Sequence, residues 1–246
     1  GPSDNGTFTI GPVGVSPNNG GLVVSLNQTN GQITVVSALL TGQYTVTVPI
    51  TDNCGATTNA TVTVNVTCPT ITLNQGSLVD GTVNTAYGAT ISASPAGGNY
   101  TFAVTNGTLP AGLTLNTNGS FSGAPTASGS YNFRVTATGF GGCTGFRDYT
   151  LEVNRANSIA TITSDSPDPS VFGENVTVNY TVVGSQGGGA VPTGNVVVTL
   201  SGWTDTCTGT VSSGTCVIPL SKVGTGTLVL NYAGDINFNP SSDTEA

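Results

Sequence analysis

The sequence of residues 109–137, LPAGLTLNTNGSFSGAPTASGSYNFRVTA, decides the fold of this chain. It reads as a short strand, a turn at Asn118 and Gly119, a second short strand and a connection rich in Pro, Gly and Ser. Apolar and polar residues then alternate, which predicts a strand with one buried face. The positions predicted to be buried are Tyr131, Phe133, Val135 and Ala137.

The same pattern occurs earlier, in residues 21–48, GLVVSLNQTNGQITVVSALLTGQYTVTV. Here Tyr44, Val46 and Val48 take the alternating places. Tyr44 and Tyr131 each follow a glycine by two residues at the start of a strand, so both are candidate tyrosine corners with hydroxyls bonded to nearby backbone. The repeat indicates a series of similar β-modules.

The composition agrees with folded β-structure. The chain has 246 residues, enough for one large domain or two to three small ones. Only 7% of the residues are charged, but Val and Thr, which suit a pleated and half-buried surface, recur in alternating runs. No apolar segment is long enough for a transmembrane helix, so we expect no membrane insertion.

The charge and the missing histidine exclude several kinds of function. Twelve acidic residues oppose four basic ones, and the basic residues are scattered: Arg134, Arg147, Arg155 and Lys222. A nucleic-acid groove needs clustered Lys and Arg, so we expect no nucleic-acid partner. The absence of histidine removes the usual general base, the imidazole metal ligand and the Ser-His-Asp triad. We therefore predict a protein that is not an enzyme.

Turn signals divide the chain into three modules, which we call module one (1–68), module two (69–154) and module three (155–246). Module two has about seven short strands separated by turns, as in a β-sandwich. Module one matches it only from about Gly88 onward, so nothing in module one corresponds to residues 71–83. We expect module one to lack its first strand.

Module two resembles a known family. The LPxGLxL…G…SGxPT…GxY pattern in residues 109–131 is similar to the family named Putative Ig domain, found in bacterial surface proteins and related to cadherin-like domains of the dystroglycan type. Through the repeat, the resemblance extends over residues 1–154. It implies Ig-like sandwiches in an extracellular setting and carries no shared catalytic residues.

Module three resembles a different family, the bacterial Ig-like domains of group 3, in SVFGENVTV, PTGNVVV and LNYAGDINFNPSS. Such domains usually end with another strand after the Gly-Asp segment, and the given chain stops at Ala246, so we expect this module to lack its last strand. The linker, residues 154–158, is short. The predicted fold is all-β, with three Ig-like sandwiches in tandem, end to end.

This topology predicts how the five cysteines pair. Cys68 precedes the first strand of module two and Cys143 lies in the loop between its last two strands, at the same end of an Ig-like sandwich, so we pair them. Cys207 and Cys216 flank a candidate hairpin and form the second predicted pair. Cys54 remains unpaired. The alternative pair Cys54–Cys68 would bridge opposite ends of a strand of about ten residues, over about 30 Å.

Asp235, Asn237 and Asn239 in GDINFNP form a candidate Ca²⁺ site, because they offer oxygen ligands at alternate positions. Asp80 and Asp165 are candidates to contribute further ligands across the junction. The segment lacks the carboxylate density of a dedicated calcium loop, so a turn is the favoured interpretation and no cofactor is expected.

Four further residues have a functional and a simpler interpretation. Asp165 and Asp168 are spaced like paired carboxylates, but in SDSPDPS they are better explained as turn residues. Trp203, the only tryptophan, is a candidate sugar-stacking platform, and packing beside a disulfide is favoured. Lys222, the only lysine, is the one residue available for a Lys–Asn cross-link, and a solvated side chain is favoured.

Three functions remain after these exclusions. The leading hypothesis is a non-enzymatic structural or adhesive region, a stalk or fibre segment of a bacterial cell-surface or secreted protein, stapled by disulfides outside the cell. The second is an accessory or carbohydrate-binding region of a secreted polysaccharide-degrading enzyme. The third is a self-assembling fibre subunit that exchanges strands head to tail through open sheet edges. The ligand is not predicted.

Overall fold

The computed structural model describes residues 6–245, so the first five residues of module one and Ala246 lie outside the description. In residues 6–245 the regular structure consists of strands and one 3₁₀ turn, Phe140–Gly142. The chain packs as two compact units. The first contains the residues up to Leu73 with Ala93–Thr101 and Ala137–Phe146, and the second contains Asn74–Ser92, Phe102–Thr136 and the chain from Arg147. Module two contributes to both units.

Module one lies in the first unit and has six strands in the order that the alternating runs predict. They are β1 (Phe8–Ile10), β2 (Gly14–Ser16), β3 (Leu22–Leu26), β4 (Ile33–Ala38), β5 (Gly42–Asp52) and β6 (Thr57–Val66). β1 and β2 pair with one edge of β5, and β6 pairs with the other. β3 and β4 form a hairpin. Within residues 6–245, β5 is the only sheet partner of β6.

Tyr44 anchors the core of module one. It is 1% exposed and packs with buried Leu22 and Val46. Its hydroxyl donates a 3.1 Å hydrogen bond to the carbonyl of Leu40, four residues earlier. This is the tyrosine-corner geometry that the glycine-tyrosine spacing predicts.

Module two has eight short strands. They are β7 (Thr72–Leu73), β8 (Gly81–Thr82), β9 (Ala93–Ser94), β10 (Thr101–Gly107), β11 (Leu113–Leu115), β12 (Phe121–Gly123), β13 (Gly129–Thr138) and β14 (Thr144–Asn154). The main sheet has the order β10-β13-β14-β8, with β8 parallel to β14. β11 and β12 form the predicted hairpin, which turns at Gly119 with φ of 88°. This positive φ requires glycine or a similarly tolerant residue.

Three of the four β13 residues predicted to be buried are buried, and Tyr131 is half-buried. Phe133, Val135 and Ala137 are at most 3% exposed. The ring of Phe133 stacks on Tyr149 of β14 with centroids 6.0 Å apart. The Tyr131 hydroxyl donates to the carbonyl of Ala127, again four residues earlier, at 3.2 Å. The two tyrosine corners show that β5 and β13 are structural equivalents.

Module three lies in the second unit as a two-sheet sandwich. Its strands are β15 (Ser158–Ser166), β16 (Asn175–Gly184), β17 (Asn195–Leu200), β18 (Thr206–Thr210), β19 (Thr215–Pro219), β20 (Leu228–Tyr232) and β21 (Ser241–Glu245). One sheet has the order β15-β16-β19 and the other β18-β17-β20-β21. The facing apolar residues, such as Val178, Val196 and Leu230, are fully buried between the sheets.

The expectation that module three lacks its last strand is wrong. After the turn at Gly234 and Asp235 the chain forms β21, which pairs antiparallel with β20 from Tyr232↔Ser241 to Leu228↔Glu245. The sequence SSDTE gives no strand signal because it has no apolar residue. An edge strand that is largely exposed needs none, since its backbone hydrogen bonds are made to β20 alone.

No helix in residues 6–245 is long and apolar enough to cross a membrane.

Candidate functional site

Asn84 follows β8 in the second unit and is one of the few buried polar residues. It is 9% exposed and has φ of 62°, a left-handed conformation that asparagine tolerates better than most residues. Its backbone N–H donates to the carbonyl of Pro125 at 2.8 Å. The loop therefore holds the side chain in one direction, toward module three.

The Asn84 side chain pairs with the backbone of Ala190 in module three. Its amide Nδ2 donates to the Ala190 carbonyl at 2.8 Å, and its Oδ1 accepts from the Ala190 N–H at 3.0 Å. The amide thus pairs with one partly buried donor and one partly buried acceptor at once. Gly188 has φ of 154°, and a Cβ there would approach Asn84 to 2.5 Å. Glycine is required for this close approach.

A second contact lies beside the first. The N–H of Ser128 in module two donates to Oδ1 of Asn237 at 2.9 Å. The Ser128 hydroxyl donates to the carbonyl of Ile236. We use the name Asn84 surface for Asn84, Ser128, Gly188, Ala190 and residues 235–239. It joins modules two and three by side chain to backbone hydrogen bonds.

Asp235 shapes the module-three side of the Asn84 surface. One carboxylate oxygen accepts from the N–H groups of Asn237 at 2.7 Å and Phe238 at 2.8 Å, and the other from the N–H and hydroxyl of Thr193, both at 2.8 Å. Burial opposes ionisation, but the hydrogen bonds from Thr193, Asn237 and Phe238 outweigh it and lower the pKa of Asp235. Burial and this carboxylate together raise the pKa of Tyr232 to about 12.

The predicted Ca²⁺ ligands are therefore brought together, but in other roles. Asp235 caps a turn, Asn237 accepts from Ser128, and the amide of Asn239 donates to Asn157 Oδ1 at 2.9 Å. Asp165 does not join them and lines a cleft elsewhere. Burial raises the pKa of Tyr87, and the negative charge of Asp80 raises it further. Residues 6–245 contain no group of three or more Cys, Asp or Glu suited to hold a metal ion.

Sequence reasoning missed Asn84 and Ala190. Asn84 is one asparagine among many in turn-rich segments, and Ala190 acts only through its backbone. The run of three glycines at 187–189 was the one available signal, because glycine permits close backbone approach. Its partner lies in another module, and nothing in the sequence indicates it.

The structure contains two disulfides. Cys68 and Cys143 are joined with a Cα–Cα distance of 5.5 Å, and Cys207 and Cys216 with 5.8 Å. Cys54 is exposed and free. The hairpin interpretation of the second pair needs correction, because β18 and β19 belong to different sheets. The bond therefore links the two sheets of module three across the sandwich.

Trp203 lies in a cleft of about 520 Å³ at one end of module three. The cleft lies over the edge of the core, and its lining includes Trp203, Phe172, Val223, Asp165, Asp168 and Glu245. Phe172 is 67% exposed and Val223 is 85% exposed. Lys222 is exposed and lines the same cleft. The cleft therefore combines aromatic faces with an excess of carboxylates.

Two-sheet packing, tyrosine corners and short antiparallel strands define the class of protein as Ig-like. Two families match the sequence: Putative Ig domain over residues 69–154, and Bacterial Ig-like domain (group 3) over residues 162–246. The chain therefore carries matches to two Ig-like families in tandem. No curated protein matches the chain.

Solved structures similar to the chain include fragments of cadherins. The crystal structure of human CDH23 EC21-23 has 19% identity and a TM-score of 0.36, and the match covers 96% of this chain and 86% of that one. Drosophila N-cadherin EC1-4 has 13% identity and a TM-score of 0.35, with 97% and 64% covered. A protocadherin gammaB7 EC3-6 cis-dimer has 13% identity and a TM-score of 0.36, with 96% and 66% covered. Because these TM-scores are below 0.5, no property of the cadherins is carried over.

Proposed function

We propose that the chain is a non-enzymatic structural or adhesive repeat segment of an extracellular bacterial protein, acting as a stalk or fibre segment. In this proposal residues 1–68, 69–154 and 155–246 are successive Ig-like modules. Their task is to hold neighbouring parts of a surface or secreted protein at a fixed spacing. The matches to Ig-like families in residues 69–154 and 162–246 support this class of function.

The observation that carries the proposal is the Asn84 surface. A flexible linker would leave modules two and three free to bend, whereas hydrogen bonds to Ala190 and Asn237 fix their relative orientation. The oxygens of Asp235 and Asn237 already accept hydrogen bonds from the protein. In this proposal, the junction between modules two and three needs no Ca²⁺.

The two disulfides support the extracellular setting. Disulfides persist in oxidising compartments and are rare in the reducing cytosol. Cys68–Cys143 spans 75 residues and fixes the start of module two to the loop before its last strand. Cys207–Cys216 links the two sheets of module three. Both bonds restrain parts of the chain that must stay folded in a segment under mechanical tension.

Calcium independence tests this function directly. We expect the melting temperature and the ¹⁵N relaxation rates of modules two and three to be the same in EDTA and in millimolar Ca²⁺. A Ca²⁺ ion that bound only the folded state would raise the melting temperature. A shared rotational correlation time for both modules in EDTA is the expected result. A rise in melting temperature with Ca²⁺, or separate correlation times in EDTA, would contradict the proposal.

A second candidate function is carbohydrate binding at the Trp203 cleft. Its volume lies in the range of small-ligand sites. Trp203 and Phe172 provide faces for stacking against a sugar ring. The carboxylates of Asp165, Asp168 and Glu245 are acceptors for hydroxyl groups, and their excess over Lys222 disfavours anionic ligands.

The single tryptophan makes this second function easy to test. Titration with neutral oligosaccharides is expected to change the fluorescence of Trp203 in a saturable way. Phe172→Ala should weaken binding roughly fivefold by removing one stacking face. Phe8→Ala is the matched control, because Phe8 is 68% exposed and lies in module one. Unchanged fluorescence with every sugar, or equal effects of both variants, would remove the carbohydrate hypothesis.

A further inference from the structure

The side chain of Asn106, at the end of β10, folds back onto the peptide group that follows it. Its Oδ1 accepts a 3.0 Å hydrogen bond from the N–H of Gly107, the next residue. Residues 6–245 contain four Asn-Gly pairs, and they begin at Asn19, Asn30, Asn106 and Asn118. The contact at Asn106 distinguishes this pair from the other three.

The other three asparagines use Oδ1 in a different way. Each accepts a hydrogen bond from the N–H of the residue after the glycine. The pairs are Asn19 with Gly21, Asn30 with Gln32, and Asn118 with Ser120, at 2.9 to 3.0 Å. This is the Asx-turn geometry, which is common where asparagine precedes glycine. It directs the side-chain oxygen past the N–H of the intervening glycine.

The nitrogen atoms of the glycines also differ. The N–H of Gly31 donates to the carbonyl of Asn27 at 2.8 Å, and the N–H of Gly119 donates to the carbonyl of Asn116 at 2.9 Å. The nitrogen of Gly107 instead lies 3.0 Å from Oδ1 of its own preceding asparagine. Since a C=O bond is about 1.2 Å long, this nitrogen is about 3 to 4 Å from the amide carbon Cγ. Reacting atoms about 3 to 3.5 Å apart are close to an attack geometry.

The two neighbouring atoms can undergo one reaction without any enzyme. The nitrogen of Gly107 loses its proton to base and attacks Cγ of Asn106. The N–Cγ bond forms, the Cγ–Nδ2 bond breaks, and the side-chain nitrogen leaves as ammonia. Water then opens the resulting succinimide ring at one of its two carbonyls, which gives aspartate or isoaspartate at position 106. The sum is amide plus water to carboxylic acid plus ammonia, with no change of oxidation state.

The surroundings allow this reaction. Asn106 and Gly107 are exposed, so that base and water reach the reacting atoms, and glycine has no side chain to hinder the attacking nitrogen. Exposure does not by itself select this pair, because Asn30 and Gly31 are exposed as well. The position of the glycine nitrogen is what separates them.

We infer that Asn106 is a site of spontaneous deamidation, selected among the Asn-Gly pairs of residues 6–245 by the position of the Gly107 nitrogen. Isoaspartate adds a methylene to the main chain between Asn106 and Gly107. Gly107 has little room to shift, because at its φ of 73° a Cβ would approach the carbonyl oxygen of Asn132 in β13 to 2.2 Å. Isoaspartate therefore loosens the end of β10, an edge strand of its sheet. This inference stands independently of the proposed function.

Peptide mapping of the full chain by mass spectrometry tests the site. After incubation of folded protein in mildly alkaline buffer, we expect Asn106 to convert roughly tenfold faster than Asn30 and Asn118. In urea the three pairs should react at similar rates, because the folded geometry is lost and each is an Asn-Gly dipeptide. Equal rates at Asn106 and Asn30 in the folded protein, or the same ratio of rates in both states, would overturn the inference.

Asn106→Gln is the matched control for the chemistry. Glutamine keeps the amide but needs a larger ring to react, so conversion at position 106 should become roughly tenfold slower while conversion at Asn30 stays unchanged. Unchanged conversion at position 106 in this variant would contradict attack by the Gly107 nitrogen.

Hydrogen exchange tests the consequence for β10. The amides of Thr101–Gly107 should exchange roughly tenfold faster in the isoaspartate form than in unmodified protein, and those of β16 should not change. Asn106→Asp introduces the carboxylate without the extra methylene, so its β10 amides should exchange as in the wild type. No acceleration in the isoaspartate form, or equal acceleration in Asn106→Asp, would overturn the loosening of β10.

Discussion

Asp235 illustrates how a residue that suggests a metal site serves the fold. Its carboxylate receives four hydrogen bonds, from the backbone N–H groups of Thr193, Asn237 and Phe238 and from the Thr193 hydroxyl. Hydrogen bonds to the ionised form favour it, which is why the pKa of Asp235 lies below the usual value of 3.8. The alternate oxygen-bearing residues Asp235 and Asn237 thus accept hydrogen bonds that organise a turn and join it to Ser128.

Acid pH is expected to loosen this turn. A lowered folded-state pKa stabilises the fold above the unfolded-state value, and the stabilisation is lost as pH falls through the folded-state pKa. Asp235→Asn should therefore lower the free energy of unfolding at neutral pH by about 1 kcal/mol, allowing for solvent screening. It should also flatten the pH dependence below about pH 4. Denaturant unfolding of both proteins between pH 7 and pH 2 measures this, and parallel curves would contradict it.

At the scale of elements, the strands were predictable and their partners only in part. Alternation in β5 and β13 places Val46 and Phe133 in the core because the two faces of a strand differ in polarity. β21 escaped prediction because an edge strand can be entirely polar. The sequence also did not reveal that β18 and β19 belong to different sheets. A short connection is compatible both with two strands that pair in one sheet and with two strands that lie in opposite sheets.

The two disulfides should contribute unequally to stability. Loop-closure entropy predicts about 4.5 kcal/mol for the bond that spans 75 residues and about 2.5 kcal/mol for the bond that spans nine. We therefore expect Cys68→Ala/Cys143→Ala to lower the free energy of unfolding more than Cys207→Ala/Cys216→Ala. Denaturant unfolding of the two double variants compares them. Peptide mapping of unreduced protein is the control, and a Cys54–Cys68 bond would contradict the pairing itself.

At the scale of the whole molecule, the proposed function depends on the connections between modules. The family matches depend on residue patterns within single modules, and these patterns can be recognised in the sequence. The Asn84 surface depends on an asparagine side chain and on the backbone of Ala190, 106 residues later. No periodicity or motif links two such positions, because the Ala190 side chain takes no part. Sequence reasoning therefore found the two Ig-like families and missed the contact between Asn84 and Ala190.

The most direct test of the account is ¹⁵N relaxation of the wild-type chain, Asn84→Gly and Asn99→Gly. Glycine accepts a positive φ at both positions, and Asn99, at φ of 42°, is exposed and far along the chain from the residues of the Asn84 surface, so it serves as the control. Asn84→Gly leaves the Ala190 N–H and carbonyl without their partner. We expect modules two and three to share one correlation time in the wild type and in Asn99→Gly, and to tumble separately in Asn84→Gly. A shared correlation time in all three proteins would contradict the central claim.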